Sequence, residues 1–531
     1  MTGIGYRKPW NAEDDGFTTQ EKADIVRHRQ GWIFPCVAKP AFCSESWKRW
    51  RSVSGMQKIN RIVEERKMVK KVLSEAEASL IREEPRFYGI EPIKDREISL
   101  SFQTACSKEK TCVKAALQFG TDCGNVDALE EEMAGFIGVK HAVALSSGTE
   151  AVHAALRLAA EKVYGGLLSG RRVFCSDLAA SALVNSVVYE GGEPVFIDAS
   201  PEDWGMDPDA LEIAFHRYPD VKIVMMAHLY GFPGQVEKVK RICRKHGAVL
   251  IEDACESLGA LIKGKQVGSF GDYGVLSFHN SDIMADLEGG MLLVNDASEA
   301  EKVRGWLSQP PMGRPQAQRG RWVCRDQTGN VQAGVIHCRM RSLHEYIAKK
   351  KRIYERYQKR FAEDLMLLNP VGAGTEPSYW HSCMTVESSI GFIERRSERE
   401  YEYVSQHGTA APMEILDALA AFGAEGKPVW KPMHMQPFFK DCDQVSLDGS
   451  KKDYESSGHK GPLVRCNESA EIFRKGICLP ADVRMTEAEQ NRVIDIIFSC
   501  YCRRDMNREI WCAMQDTDGY KIERSAERRL F

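Results

Sequence analysis

Residues 141–151 read HAVALSSGTEA: an apolar run of five residues, two serines and a glycine, then the opening of a helix. The run from His141 to Leu145 lacks polar alternation, which suits a strand buried on both faces. Ser147 can cap the helix that follows, and Glu150 stands three residues further on, the spacing of a capping box. A strand that turns directly into a helix opens a βα unit, and the pattern recurs along the chain. RRVFCS at 171, PVFID at 194, KIVMMAHL at 222, AVLIED at 248 and YGVLSFH at 273 are short apolar runs, with amphipathic stretches between them. Strands alternating with helices build a mostly parallel sheet with helices on both faces, an α/β architecture. Ligands in such sheets gather at the carboxyl ends of the strands, so chemistry is expected just after each run.

Outward from this region, the chain of 531 residues is long enough for several structural units. Residues 1–95 are polar and form an N-terminal extension with helix-like runs at Thr19 to Arg29 and Gln57 to Glu83. The second run places Ile59, Ile62, Val63, Val69, Val72 and Leu73 near helical spacing, so an amphipathic helix is expected to pack on the main body. Residues 96–365 form the large α/β domain, closed by a long helix from Gln332 to Leu365. Its basic stretch AKKKRIYERYQKR reads as a solvated face. Residues 366–500 form a smaller α+β domain, with YWHSCMTVE as a strand, MEILDALAAFGA as a helix and TEAEQNRVIDIIFSC as a closing helix. The insert beginning DCDQVSLDGSKKDYESSG reads as a surface loop, and 501–531 as a charged tail.

Composition narrows the function. Lys and Arg number 72 against 75 Asp and Glu, a net charge of −3, and mean hydropathy is −0.37. No broad field for nucleic acid or an anionic membrane follows. No window approaches about 18 uninterrupted apolar residues, and the first residues carry no basic start followed by an apolar stretch. A cytoplasmic address is the expectation. The seventeen cysteines are scattered in apolar contexts such as Cys175, Cys243 and Cys383, and read mostly as buried free thiols. Cys500, Cys502 and Cys512 cluster late without a fourth ligand, so no metal site is assigned.

Two local motifs carry chemistry. The amides of Gly148 and Thr149 at a helix N-terminus, with the hydroxyls of Ser147 and Thr149, offer a site for a phosphate, although the same residues also make an ordinary helix cap. In VLIEDACESLGA, Asp253 ends a strand expected beside the first. A carboxylate there can hold a pyridine nitrogen protonated, or it can cap the next turn.

Seven ordered blocks, among them HAVALSSGTEAVHAAL, AHLYGFPGQ, IEDACESLGA, GKQVGSFGDYGVLSFH, EGGMLLVND and VWKPMHMQP, resemble the pyridoxal-phosphate sugar aminotransferases of the DegT and StrS type over roughly 97 to 500. The resemblance implies a fold-type I transferase that binds pyridoxal phosphate or pyridoxamine phosphate and acts on a nucleotide-linked sugar. It also implies a homodimer, or a heterodimer with an active relative, whose sites lie at the subunit interface. Carried over by motif, Ser147, Gly148, Thr149, Asp253, Glu256, Ser277 and Asn330 would contact the cofactor, and Trp430, Lys431 and His434 the sugar.

The departures fall on site positions. In the family the Schiff-base lysine stands three residues after the His or Asn of the SFH-like run; here that residue is Asp282, with His279 before it. A carboxylate cannot form an imine, and its charge would oppose a bound phosphate. No lysine lies between Lys265 and Lys302. The ring-stacking aromatic falls on Ala180, the NYRMSN-like segment is Arg325 to Asn330 with only the final Asn kept, and the CLPSG-like turn is Cys478 to Asp482. Three readings stay open. The chain is catalytically degenerate, or it dehydrates a sugar with His279 or Asp282 as base, or a lysine such as Lys263, Lys265 or Lys431 replaces the missing one.

Overall fold

The computed structural model describes residues 75–93, 97–101, 110–111, 113–114, 124–279, 288–307, 327–361, 367–386, 393–397, 400–403, 411–447, 449–450 and 467–500. Strands β1 (His141–Leu145), β2 (Arg172–Ser176), β3 (Glu193–Ile197), β4 (Ile223–Ala227) and β5 (Val249–Asp253) match the apolar runs. After the short hairpin β6 (Leu261–Ile262) and β7 (Lys265–Gln266) come β8 (Tyr273–Ser277) and β9 (Gly290–Val294). In the C-terminal part follow β10 (Leu367–Leu368), β11 (Thr375–Glu376), β12 (Cys383–Thr385), β13 (Ile393–Ser397), β14 (Glu400–Tyr403), β15 (Lys427–Pro428), β16 (Gln444–Ser446), β17 (Gly449–Ser450) and β18 (Gly476–Cys478).

The nine-stranded sheet has the order β1-β9-β8-β5-β4-β2-β3-β16-β17. Pairs from β8 through β5, β4, β2 and β3 to β16 are parallel, while β9 runs antiparallel to both β8 and β1. The strand of Asp253 therefore does not lie beside the first, as the sequence suggested. The hairpin of β8 and β9 inserts between them, because β9 returns antiparallel and takes the free edge of β8. The insert read as a surface loop also starts as structure: Gln444 to Ser446 are buried, and β16 extends the sheet by pairing with β3.

Twelve helices occur among the described residues: α1 (Glu75–Arg82), α2 (Asn125–Ile137), α3 (Gly148–Tyr164), α4 (Ser181–Tyr189), α5 (Pro208–Arg217), α6 (Val236–His246), α7 (Ala297–Leu307), α8 (Asn330–Met340), α9 (Leu343–Phe361), α10 (Pro412–Ala421), α11 (Glu468–Lys475) and α12 (Glu487–Cys500). The single helix expected from Gln332 to Leu365 is two, α8 and α9. Ser342 N donates to Arg339 O at 2.8 Å, a tight turn, and Ser342 O then accepts from Tyr346 N at 3.0 Å to open α9. Serine favours helix starts over helix interiors, and the break lets Leu343 bury beside Gly259. Of the run Gln57 to Glu83 only α1 is described; the run Thr19 to Arg29 lies outside the described residues, as do Cys502, Cys512 and the tail.

Two apolar cores result. The larger lies on the faces of the nine-stranded sheet, from Leu129 and Val143 through Phe174, Ile251 and Leu292. The second joins α9, α10 and α12 with the sheet β10-β12-β18-β15. Residues 75–93, part of the polar extension in the sequence reading, bury Ala78 and Phe87 in this second core beside Ile98. Arg86, 1% exposed, pairs there with Glu414 at 2.7 Å and Glu84 at 2.9 Å. Seven described cysteines are free thiols, and Cys338 is disulfide-bonded. No described helix is long and apolar enough to cross a membrane.

Candidate functional site

The start of α3 is wedged between two strand ends. Register pairing sets Gly290 of β9 opposite Leu145 of β1. A Cβ on Gly290 would lie 2.1 Å from Ser147 O, and one on Gly148 would lie 2.6 Å from Ser277 Cβ. Both glycines are therefore demanded by backbone approach, which draws the ends of β1, β8 and β9 around one helix N-terminus. Ser147 caps α3, its Oγ accepting from Glu150 N at 3.2 Å. The amides of Gly148 and Thr149 belong to the first turn, which has no intrahelical acceptors. Ser277 Oγ faces this turn and accepts from His279 N at 3.3 Å. Thr328 Oγ1 donates to Leu145 O, Gln327 bridges Leu145, and Asn330 begins α8 with its carbonyl accepting from Asn125 Nδ2 at 3.0 Å. Thus the segment ending in Asn330 sits beside the strand that leads to Ser147 of its own chain.

Asp253 ends β5 and is 7% exposed. Its Oδ1 accepts from Cys255 N at 3.0 Å, and it forms no ion pair among the described residues. Burial holds its pKa above the ordinary value against the Cys255 hydrogen bonds. Glu256 lies on the turn after β5. Its Oε2 accepts from Tyr230 N at 2.9 Å and its Oε1 from Trp430 Nε1 at 2.8 Å. Burial pushes this carboxyl up to about 7, opposed by the Tyr230 amide, Lys427 and the indole N–H, with the charge of Asp253 adding to the rise. Lys427 lies over both Trp380 and Trp430, 5.3 and 5.1 Å from the ring centres. Asp253, Glu256 and Trp430 thus form one linked edge of the site.

Behind Asp253, Glu252 fixes the loop that precedes β8. It accepts from Gly268 N at 2.6 Å, Phe270 N and Gly271 N at 2.7 Å, and His228 Nε2 at 3.0 Å. His228 Nδ1 accepts from Gly234 N at 3.0 Å, so its proton is on Nε2. Burial would raise the Glu252 pKa, but these donors outweigh it and hold the group ionised below its ordinary value.

His434 is buried and its ring is committed to the protein: Nδ1 meets Asp177 Oδ2 at 2.6 Å and Nε2 meets Asn467 Nδ2 at 3.2 Å. Asp177 also accepts from His434 N at 3.0 Å and Gln444 Nε2 at 3.2 Å. Of the sugar-contact expectations, His434 anchors the WKPMHMQP block, Trp430 bonds Glu256, and Lys431 is half-buried with its carbonyl accepting from Gln436 Nε2 at 3.2 Å. Ala180 precedes α4 and is half-buried. In the altered turn Cys478 to Asp482, the buried Asp482 is held by Arg484 Nη2 at 2.7 Å and Nε at 3.0 Å. Asp282 lies outside the described residues. Lys263 pairs with Glu237, and Lys265 Nζ donates to Ser269 O at 3.1 Å, so both are engaged on the β6–β7 hairpin.

Sequence reasoning missed Tyr230, which packs against Trp204. Both are non-glycine residues in the left-handed region, φ 58° and 61°, and their rings meet edge to face at 6.2 Å. Tyr379, φ 55°, joins them through the backbone approach at Gly231. Such strain collects at functional sites, but a tyrosine or tryptophan in sequence carries no mark of it.

Whether these residues fit pyridoxal phosphate divides in two. For retention they do: a glycine cradle at a helix N-terminus suits the phosphate, and a buried carboxylate lacking an ion partner suits a protonated ring nitrogen. For covalent attachment, the chain carries no lysine between Lys265 and Lys302, the stretch that holds β8 and β9. When bound, a pyridoxal ring with a protonated nitrogen serves as an electron sink; no step through it is derived for this chain.

The comparisons agree with this geometry. Residues 107–498 match the DegT/DnrJ/EryC1/StrS aminotransferase family. EpsN of Bacillus subtilis, named as a candidate pyridoxal phosphate-dependent aminotransferase, is 32% identical over 71% of this chain and 88% of its own length. GDP-perosamine synthase of Caulobacter vibrioides is 29% identical over 69% and 87%. Among solved structures, the GDP-4-keto-6-deoxy-D-mannose-3-dehydratase of E. coli with bound hydrated pyridoxal phosphate superposes with a TM-score of 0.59 at 18% identity, covering 76% of this chain and 99% of that one. With the fold-type I sheet, the glycine cradle and Asp253 in place, the chain belongs to the DegT/DnrJ/EryC1/StrS aminotransferase family.

Proposed function

We propose that this chain is a member of its family that no longer transaminates by an internal Schiff base. It holds pyridoxal phosphate or pyridoxamine phosphate without a covalent bond, beside a pocket for a nucleotide-linked sugar. In the cytoplasm it serves amino-sugar or polysaccharide production as a homodimer, or as the silent subunit of a heterodimer with an active relative. One observation carries the reading: no lysine lies between Lys265 and Lys302, the stretch in which the family resemblance sets Asp282 against the Schiff-base lysine. Support comes from the engagement of Lys263 and Lys265 elsewhere, which leaves those two unsuited as replacements. A second reading draws on Asp253 and Glu256: two buried carboxylates at the strand ends are costly for a pocket kept only for its shape. It makes the chain a dehydratase of a nucleotide-linked keto-sugar that works from pyridoxamine phosphate, with His279 or Asp282 as base.

The test is visible absorbance of the purified protein with pyridoxal phosphate, before and after borohydride, beside Asp282→Lys. The native chain is expected to retain the cofactor on gel filtration with nothing trapped by borohydride, and the variant to be trapped in the peptide carrying position 282. A trapped lysine peptide in the native chain overturns the proposal. Failure of both proteins to retain cofactor overturns its binding half. Water loss from a nucleotide-linked 4-keto sugar given pyridoxamine phosphate decides for the second reading.

A further inference from the structure

Away from this site, α9 and α12 enclose a groove of about 710 Å³ floored by Ile353, Val483 and Met485. Lys349, Arg352, Arg356, Lys359 and Arg360 line it, against Glu355 and Glu487. The cations fall three and four residues apart, so they stand on one face of α9, where like charges at this spacing repel. Two have partners: Lys349 pairs with Glu345 at 2.8 Å, and Arg356 with Glu487 at 2.7 Å and Asn491 Oδ1 at 3.0 Å. Among the described residues, Arg352, Lys359 and Arg360 form no ion pair, although Arg360 lies over the Phe498 ring at 5.7 Å. A smaller extension of about 320 Å³ runs past Arg360 to Asp495.

We propose that this groove binds a small pyrophosphate-bearing ligand: the guanidiniums of Arg352 and Arg356, with Lys359, hold the phosphates, and the Ile353–Val483–Met485 floor takes an attached apolar or ring group. Guanidinium forks match phosphate oxygens two at a time, which favours phosphate over a carboxylate ligand. From Lys349 to Arg360 the stripe rises about 16 Å along the helix at roughly 1.5 Å per residue. That length and a volume within the usual small-molecule range of roughly 300–1,000 Å³ favour a small ligand over a nucleic acid. The near-neutral balance of the whole chain argues the same way.

The test is calorimetric titration of the full chain, with pyridoxal phosphate kept saturating so that the cradle at Gly148 does not contribute. Inorganic pyrophosphate and uridine diphosphate are the probes, and a hexaglutamate peptide is the carboxylate control. One equivalent of probe is expected to bind in the groove, apart from any held by the nucleotide-sugar pocket and identified by its loss in the groove variants, and to bind more weakly as sodium chloride rises from about 0.05 to about 0.2 M. Uridine diphosphate binding about tenfold tighter than pyrophosphate identifies a nucleotide site, and equal binding an inorganic one. The charge reversals Arg352→Glu with Lys359→Glu are expected to weaken binding at least about tenfold, and the neutral pair Arg352→Gln with Lys359→Gln to follow with an unchanged circular dichroism spectrum. Unchanged affinity in the folded neutral variant, no binding by the native chain, or hexaglutamate binding as tightly as pyrophosphate overturns the proposal.

Discussion

Gly290 has no room for a side chain, and the reason is backbone: its Cβ would lie 2.1 Å from Ser147 O and 2.5 Å from Gly148 N. Gly290→Ala must part β9 from the start of α3, at a cost of at least about 1–3 kcal/mol by analogy with overpacking. Gly135 is the control. It is exposed on α2 with nothing within 4 Å of its Cβ position, so Gly135→Ala is expected to stabilise by about 0.5–1 kcal/mol. Denaturant melts of both, with cofactor retention on gel filtration, check the contrast: only Gly290→Ala loses both. Charge adds a second residue-level prediction. The Glu256 carboxyl, raised to about 7 by burial from 4.5, binds a proton in the fold that the unfolded chain has released. Its contribution to stability is full below about pH 4.5 and falls as pH rises to about 7. Lys350 acts in the next window. Wholly buried, with Nζ donating to Ser101 Oγ at 3.0 Å and Trp380 O at 3.1 Å, it is pushed by burial down to about 7 from 10.5, so its contribution rises with pH across that interval. Urea melts at stepped pH are expected to flatten below pH 7 in Glu256→Gln and above pH 7 in Lys350→Met, each relative to the native chain; a slope unchanged in either variant removes that group from the account. Local spacing in sequence marks Gly148, Asp253 and Glu256 because each belongs to a motif of a few residues. His434 is different: its partner Asp177 lies 257 positions away, and no local pattern reports such a pairing.

Elements were legible where burial is two-sided. The apolar runs at 141, 171, 194, 222, 248 and 273 all became strands of one sheet, since a strand buried on both faces reads as a mostly apolar run. Position within the sheet was not legible, because it depends on which edge β9 finds on its return. Nor was β16, three residues long with only Val445 apolar; its place beside β3 is held by pairing and by the Gln444 contact to Asp177. The break between α8 and α9 rests on the turn at Ser342, inside a run whose periodicity continues across it. Among the contacts between elements, the Arg86–Glu414 pair is the most exacting. Its side chains are 1% and 2% exposed, and Arg86 Nη1 also reaches Cys500 O at 3.4 Å, tying the short turn Pro85–Phe87 to α10 and the end of α12. Removing Glu414 leaves the buried Arg86 with Glu84 as its remaining ion partner, so Glu414→Ala is expected to cost at least about 1–3 kcal/mol. A double change to Arg86→Met with Glu414→Leu is expected to recover most of it, as buried pairs often yield to apolar replacements. Equal losses in the single and double variants, read by urea melts, would show that the cost lies in packing and not in charge.

On the scale of the molecule, the sequence placed the boundary of the N-terminal extension at residue 95, by composition. The second core draws it elsewhere in physical terms. Ala78, Phe87 and Ile98 bury against α9, α10 and α12, Phe87 meets Phe422 at 5.3 Å between ring centres, and Ile93 N donates to Phe422 O at 3.0 Å. Polar composition hid this because Glu84, Arg86 and their neighbours carry charge, and the charge is consumed by pairing with Glu414 inside the fold. A chain that starts at residue 75 keeps each of these contacts; one that starts at residue 95 loses all but Ile98. Burying a side chain such as Phe87 is worth roughly 1.5–3 kcal/mol, and the loss of the Arg86 bond to buried Glu414 costs about 1–3 kcal/mol more. Marginal domains hold only about 5–15 kcal/mol in total. The longer deletion is therefore expected to unfold the C-terminal core or lower its melting midpoint by more than about 10 °C, while the shorter melts within a few degrees of the full chain. Since Trp430 and Lys427 reach the site from this C-terminal region, the longer deletion should also lose pyridoxal phosphate retention. Calorimetry of the two truncations beside the full chain decides it, and matching melts for both would show that residues 75–93 only rest on the core.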